Sequence, residues 1–82
     1  MISIEGVVLA MNGLERQDVE RWISKRWVRP DGLAGHWAFR EIDVARVRLI
    51  RELRDEMDVD EGALPVVLTL LDQLYDLRRR RS

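Results

Sequence analysis

The sequence contains few of the residues that form catalytic sites, metal sites or disulfide bonds. Its 82 residues include no cysteine, one histidine and two prolines. Without cysteine the chain forms neither a disulfide nor a thiolate metal site, and we expect no bound metal or cofactor. One histidine and few hydroxyl side chains leave no Ser–His–Asp or Cys–His arrangement, and no phosphate-binding glycine loop is present. We therefore predict that the protein is not an enzyme.

Long apolar runs are also missing. No uninterrupted stretch approaches the roughly 20 residues that cross a bilayer, and residues 1–5 do not resemble the start of a signal peptide. We therefore expect a cytoplasmic protein without membrane contact. The chain has 82 residues, of which 46% are hydrophobic and 35% charged. Such a chain suits one small, helix-rich domain, 1–82, whose thin core often gains stability by self-association.

The charges are distributed unevenly although their sum is only −1. Residues 1–40 have a net charge of +1, residues 41–76 a net charge of −6, and residues 77–82 a net charge of +4. DNA-binding domains usually present a basic surface, because phosphate neutralisation supplies most of their affinity. The middle of this chain has the opposite sign, so we expect nucleic acid to bind weakly or not at all.

The first part of the chain predicts a helix-turn-helix. Ser3 is a suitable N-cap for a first helix, and Asn12-Gly13 tolerates the left-handed conformation that ends one. A second helix is predicted from about Glu15 to Arg26, with an apolar stripe at helical spacing. Such a pair of helices occurs in many small proteins, so this pattern alone does not assign a function.

A wing and two longer helices are predicted to follow. Segments 27–30 and 36–39 alternate in strand style around a turn, which predicts a two-stranded β-wing. The next helix has a broad apolar face, which we assign to Ile42, Ala45, Leu49, Ile50, Leu53 and Met57, with Val44 and Val47 widening it. Pro65 fits only near the first turn of the last helix. The predicted boundaries are 1–26 for the helix-turn-helix, 27–39 for the wing, and 40–57 and 61–80 for the two helices.

The last helix is apolar almost all round, so two sides of it must be covered. One side meets its own domain. We expect the other side to meet a second copy, forming a homodimer, and we assign this interface to Val67, Leu71, Leu74 and Leu77.

An acidic run surrounds the break between the last two helices. It consists of Asp55, Glu56, Asp58, Asp60 and Glu61. The run is either a solvated loop or a docking patch that steers and orients a basic partner. Glu41 and Asp43 are weaker candidates for the same role.

The remaining distinctive residues each have a structural interpretation. Trp22, Trp27 and Trp37 are predicted to pin the wing to the helices, although Trp27 or Trp37 at a partner surface is the alternative. His36 is predicted to be a partly exposed loop residue without a partner for a pH switch. Arg78–Arg81 favour the negative end of a helix dipole, or form a short nucleic-acid tail.

The order of these elements resembles the winged helix-turn-helix of MerR-type proteins. The resemblance covers about Ile2–Leu77 and implies a mainly α fold with a small β-wing and a dimerising C-terminal helix. In that group, Arg and Tyr of the recognition helix reach DNA. The matching stretch here is Gln17-Asp18-Val19-Glu20-Arg21, where Asp18 and Glu20 would face a polyanion. The position of the wing arginine that contacts the DNA backbone in that group lies near Trp37 in this chain.

A DNA-binding function nevertheless stays open as the alternative. Arg16, Arg21, Lys25 and Arg26 lie where they could contact phosphate, which would make the protein a MerR-type transcriptional regulator acting as a dimer. A third interpretation is a domain of a longer regulator.

Five segments, in order, resemble the chaperone-modulator (CbpM) branch of this group more closely. They are Ile2-Ser3-Ile4-Glu5, Glu20-Arg21-Trp22-Ile23, Trp27-Val28-Arg29-Pro30, Phe39-Arg40-Glu41-Ile42-Asp43, and Leu64-Pro65-Val66-Val67-Leu68 with Leu71-Asp72-Gln73-Leu74. Members bind the J-domain of a DnaJ-like co-chaperone of the curved-DNA-binding (CbpA) type, block its stimulation of the Hsp70 ATPase and reduce its DNA binding. The resemblance therefore implies a non-enzymatic co-chaperone inhibitor. J-domains present a basic helix to Hsp70, which the acidic run would complement.

Overall fold

A computed structural model of the chain describes the backbone of residues 1–81 and the side chains of residues 1–76. In that part of the chain there are four helices and no strand, so the mainly α prediction is confirmed. The helices are α1 (Ile4–Ala10), α2 (Arg16–Ser24), α3 (Glu41–Asp55) and α4 (Leu64–Arg81). Across residues 1–81, none of them combines the length and apolar content that a bilayer crossing needs.

Local hydrogen bonds explain where the helices begin. The Ser3 hydroxyl accepts the Gly6 N–H at 3.2 Å, which confirms Ser3 as the N-cap of α1. At the start of α3, an Asp43 carboxylate oxygen accepts the Arg40 N–H at 2.9 Å. Pro65 lies in the first turn of α4, where its missing N–H costs nothing.

Two non-glycine residues in the left-handed region end α2 and α3. Arg26 has φ 63° and Asp58 has φ 54°. After α3, the Val59 N–H reaches back to the Leu53 carbonyl at 2.8 Å, which closes the helix end. These turns end α2 and α3 two residues earlier than predicted.

α4 begins at Leu64 and not at the predicted residue 61. The reason is a side-chain turn: an Asp60 carboxylate oxygen accepts the Gly62 N–H at 3.0 Å. This turn leaves Glu61 outside α4, where its side chain faces α2 rather than running along a helix surface.

The predicted β-wing is wrong as a two-stranded ladder in the described part of the chain. Asp31 and Ala38 form one isolated bridge, while Phe39 pairs with the N-terminal segment through Ile2. Both backbone hydrogen-bonding groups of Phe39 pair with Ile2 rather than with segment 27–30, and the Trp27 and Arg29 carbonyls accept hydrogen bonds from Arg46 and Arg40. Proline at position 30 also lacks the N–H that a ladder uses.

The core collects one face of each helix together with Val28 and Phe39. Its members, all buried, are Ile4, Val7, Met11, Leu14, Val19, Trp22, Val28, Phe39, Val47, Ile50, Leu53, Leu64 and Leu68. The predicted apolar face of α3 is only partly correct. Val47, Ile50 and Leu53 are buried as predicted, but Ile42, Ala45 and Met57 are exposed, and Asp43, which was not assigned to this face, is buried. The helix is apolar on two sides, and only one of them meets the core.

Candidate partner-binding surfaces

Glu61 ties the α3–α4 turn to α2. Its carboxylate accepts hydrogen bonds from Arg21 at 2.8 and 3.2 Å and from the Trp22 indole N–H at 2.8 Å. The Arg21 hydrogen bonds, helped by Trp22, outweigh burial and lower the pKa of Glu61. Glu61 was predicted as a docking residue, but its carboxylate is hydrogen-bonded to Arg21 and Trp22 of the same chain. The separation of about 40 residues left no local signal for these contacts.

Asp18 extends the same charge cluster towards α3. It lies 2.9 Å from Arg21 and 3.0 Å from Arg54, and the Arg54 guanidinium lies over the Trp22 ring at 5.3 Å. Partial burial alone would raise the pKa of Asp18, but the Glu15 N–H and the two guanidiniums lower it. The charged residues around Trp22 therefore hold α2, α3 and the α3–α4 turn together.

Asp43 is a structural residue and not a docking carboxylate. Its side chain accepts the Arg40 backbone N–H and lies 3.0 Å from the Arg40 guanidinium. Burial would raise the pKa of Asp43, and the Arg40 contacts outweigh it and lower that pKa. Glu41, the other weak docking candidate, is exposed at the start of α3.

Four carboxylates of the acidic run do reach the surface together. We call Asp55, Glu56, Asp58 and Asp60, all exposed, the acidic patch. Arg51 and Arg54 lie behind it, with side chains only 19% and 21% exposed, whereas the Glu56 side chain is 63% exposed. Arg54 lies 2.7 Å from Asp55 and lowers its pKa. The charges of Glu56, Asp58 and Asp60 therefore face solvent, while Asp55 is paired with Arg54 through both of its carboxylate oxygens.

The lowered pKa values predict acid-induced loss of stability. Each depressed carboxyl stabilises the folded state fully above its unfolded pKa, about 4, and the contribution is lost as pH falls through the lower folded pKa. Urea unfolding followed by circular dichroism should therefore give a free energy of unfolding that falls below about pH 5. A rise on acidification would contradict the pairings. The groups concerned are Asp18, Asp43, Asp55 and Glu61.

Both arginines of α2, Arg16 and Arg21, are paired with carboxylates. Arg16 pairs with Glu5 and, at 3.5 Å, with Glu20. Arg21 is held by Asp18 and Glu61. A DNA-binding helix instead presents free cations to phosphates, so α2 is a poor recognition helix in this conformation.

A groove runs between α3, α4 and the segment that follows α2. We call it the α3–α4 groove; its volume is about 660 Å³. Two arginines of its rim, Arg26 and Arg29, have no carboxylate partner among the described side chains. The groove was not predicted because its α3 residues were assigned to one broad apolar face and Leu71 to the dimer interface. The apolar lining consists of Trp27, Ile42, Ala45, Leu49, Leu71 and Tyr75.

The residues predicted for the dimer interface lie on different sides of α4. Val67 and Leu71 pack partly against the core, while the Leu74 side chain faces outward with residue exposure of 46%. The Leu77 side chain lies outside the described residues, as do Arg78–Arg81. The outer face of α4 also carries Val66 and Leu70, both exposed, so the homodimer stays a prediction.

The remaining candidates add no reactive site. Trp27 and Trp37 are half-buried against the core, and His36 is exposed in the loop. Among the described side chains, no three His, Asp or Glu residues lie close enough together to hold a metal ion. Comparisons of the chain with protein-family models, with curated proteins and with solved structures give no match.

Proposed function

We propose that this protein is a non-enzymatic modulator that binds the J-domain of a curved-DNA-binding-type co-chaperone and blocks its stimulation of Hsp70. The CbpM family, which five segments of the chain resemble, has this role. We further propose the MerR-like arrangement of that family, with a homodimer formed through the outer face of α4.

The orientation of charge at the α3–α4 turn is the observation that carries this proposal. The acidic patch presents the exposed carboxylates of Glu56, Asp58 and Asp60 beside the Asp55–Arg54 pair, while the Arg51 and Arg54 side chains are mostly covered. Met57, exposed within the same turn, adds apolar area. A surface of this kind complements a basic helix and accelerates its association.

Charge neutralisation within the acidic patch should weaken J-domain binding. The double substitution Glu56→Gln with Asp58→Asn removes two charges, and asparagine tolerates the left-handed backbone at position 58. We expect a dissociation constant about fivefold larger, mainly through slower association, because rim charges act on encounter. Calorimetry and stopped-flow fluorescence with the J-domain of the same organism's co-chaperone measure both quantities.

A matched variant removes the same charge elsewhere. Glu20→Gln with Asp76→Asn alters two exposed carboxylates outside the acidic patch and should leave J-domain binding within twofold of the parent, about 0.4 kcal/mol. Equal weakening by both pairs would show that only total charge matters. Unchanged binding in the patch variant would exclude this surface as the docking site.

A DNA-binding transcriptional regulator is the second candidate. The observation that favours it is that Arg26 and Arg29 have no carboxylate partner among the side chains of residues 1–76. Duplex DNA in the same calorimetric titration separates the two functions. A saturable J-domain signal with no DNA signal supports the modulator. DNA binding at moderate salt without J-domain binding supports the regulator, since phosphate contacts weaken steeply with salt.

A further inference from the structure

The α3–α4 groove offers apolar surface that the core does not use. Ile42 lies on its wall and is 66% exposed, and Tyr75 is 61% exposed on the α4 side. Trp27, Leu49 and Leu71 continue the apolar surface while packing partly on the core. An exposed apolar surface with this shape is typical of a recognition groove.

The rim of the groove is positively charged. Two of its four arginines are neutralised: Arg40 pairs with Asp43, and Arg46 forms two hydrogen bonds with Asp72, at 2.7 and 3.0 Å. The other two, Arg26 and Arg29, have no carboxylate partner among the described side chains. The groove therefore combines an apolar floor with two positive charges that an acidic partner would complement.

One side chain holds the walls of the groove in place. Besides pairing with Asp72 of α4, Arg46 of α3 donates a hydrogen bond to the Trp27 carbonyl at 2.9 Å. Arg46 thus connects α3, α4 and the segment after α2. A groove that is already formed avoids an ordering cost when it binds.

We propose that the α3–α4 groove binds an amphipathic helix of another protein, whose apolar face fills the groove and whose flanking Asp or Glu residues pair with Arg26 and Arg29. A helix fits better than an added strand. The wall carbonyls of Trp27 and Arg29 already accept hydrogen bonds from Arg46 and Arg40, and residues 1–81 contain no strand to extend. Side-chain anchors along a helix need no such backbone partners.

This inference goes beyond the proposed modulator function. The acidic patch and the α3–α4 groove carry opposite charges and share no residue. The acidic patch would bind a basic partner, and the α3–α4 groove would bind an acidic one. The groove is therefore tested without any J-domain present, so its failure and the failure of the modulator proposal are separate results.

The test uses two designed peptides of about 18 residues that differ only in charge. Both place leucines at helical spacing along one face; one flanks them with glutamates and the other with lysines. Fluorescence anisotropy should show binding of the glutamate peptide only. In heteronuclear NMR spectra the Trp27 indole signal should shift while that of Trp22, buried against Glu61, stays in place.

Matched variants assign the binding to the groove. Arg29→Gln should raise the dissociation constant of the glutamate peptide about fivefold, and Arg26→Gln together with Arg29→Gln should raise it about twentyfold. Arg48→Gln, an exposed arginine outside the groove, should change it less than twofold. Ile42→Ser should weaken binding about tenfold, whereas Leu9→Ser, at a residue 88% exposed on α1, should not.

Three results would overturn the proposal. They are equal binding of the two peptides, absence of binding by the glutamate peptide, and binding that the Arg26 and Arg29 variants leave unchanged. Displacement of the bound peptide by single-stranded DNA through the same two arginines would also overturn it, because the groove would then be a nucleic-acid site.

Discussion

Trp22→Ala is expected to remove most of the free energy of unfolding at room temperature. Trp22 is fully buried at the meeting point of α2, α3 and the α3–α4 turn. Removing so large a buried side chain costs about 3–5 kcal/mol, since the neighbours do not close the cavity. Small domains have a total stability of only about 5–15 kcal/mol, and a chain of this length is near the low end.

Thermal and urea unfolding followed by circular dichroism measure this effect. Trp22→Phe keeps most of the apolar volume but loses the indole N–H and part of the ring, so it should cost about half as much. Trp37→Ala, at a half-buried position, should leave the protein folded. Similar unfolding midpoints for Trp22→Ala and Trp37→Ala would contradict the central position assigned to Trp22.

Glu61→Gln is expected to destabilise the protein by about 2 kcal/mol. The substitution keeps the shape and an oxygen that accepts the Trp22 N–H. It removes the charge that faces Arg21, whose guanidinium also pairs with Asp18. Removing one partner of a partly buried ion pair costs more than the pair contributes on an exposed surface. The free energy of unfolding in urea, followed by tryptophan fluorescence, measures the loss.

Glu56→Gln is the matched control for this prediction. It makes the same chemical change five residues earlier, where the side chain is exposed and lies 3.7 Å from Arg51. Its effect should stay within about 0.5 kcal/mol. The Glu61 variant should also depend less on pH below about pH 5, because one depressed carboxyl is gone. An equal loss of free energy of unfolding in the two variants would contradict the partly buried pairing of Glu61 with Arg21.

Much of the secondary structure was predictable from local chemistry. Ser3 as an N-cap, Asn12-Gly13 as a turn and Pro65 in a first turn act within a few residues, so the chain order alone reveals them. The mainly α class was predictable from the same kind of local pattern. The errors at the ends of α2 and α3 come from Arg26 and Asp58, which adopt a left-handed conformation that cannot be predicted from their residue types.

The wing and the candidate surfaces depended on distant contacts. The predicted two-stranded wing was wrong in the described part of the chain because Phe39 pairs with Ile2, a residue far away in the sequence, rather than with segment 27–30. The acidic run was found from sequence, but only the structure separated Glu61, bound to Arg21, from the four exposed carboxylates.

The sequence by itself determined the helical class, the positions of the helices, the absence of cysteine chemistry and the acidic run between α3 and α4. These properties follow from residue type and spacing along the chain. Tertiary structure decided which side of α3 is buried, with Val47 inside and Ile42 in the groove. It also decided which charges are paired. Helical periodicity identifies an apolar face but not its partner, and ion pairs between residues some 40 positions apart arise only when the helices pack.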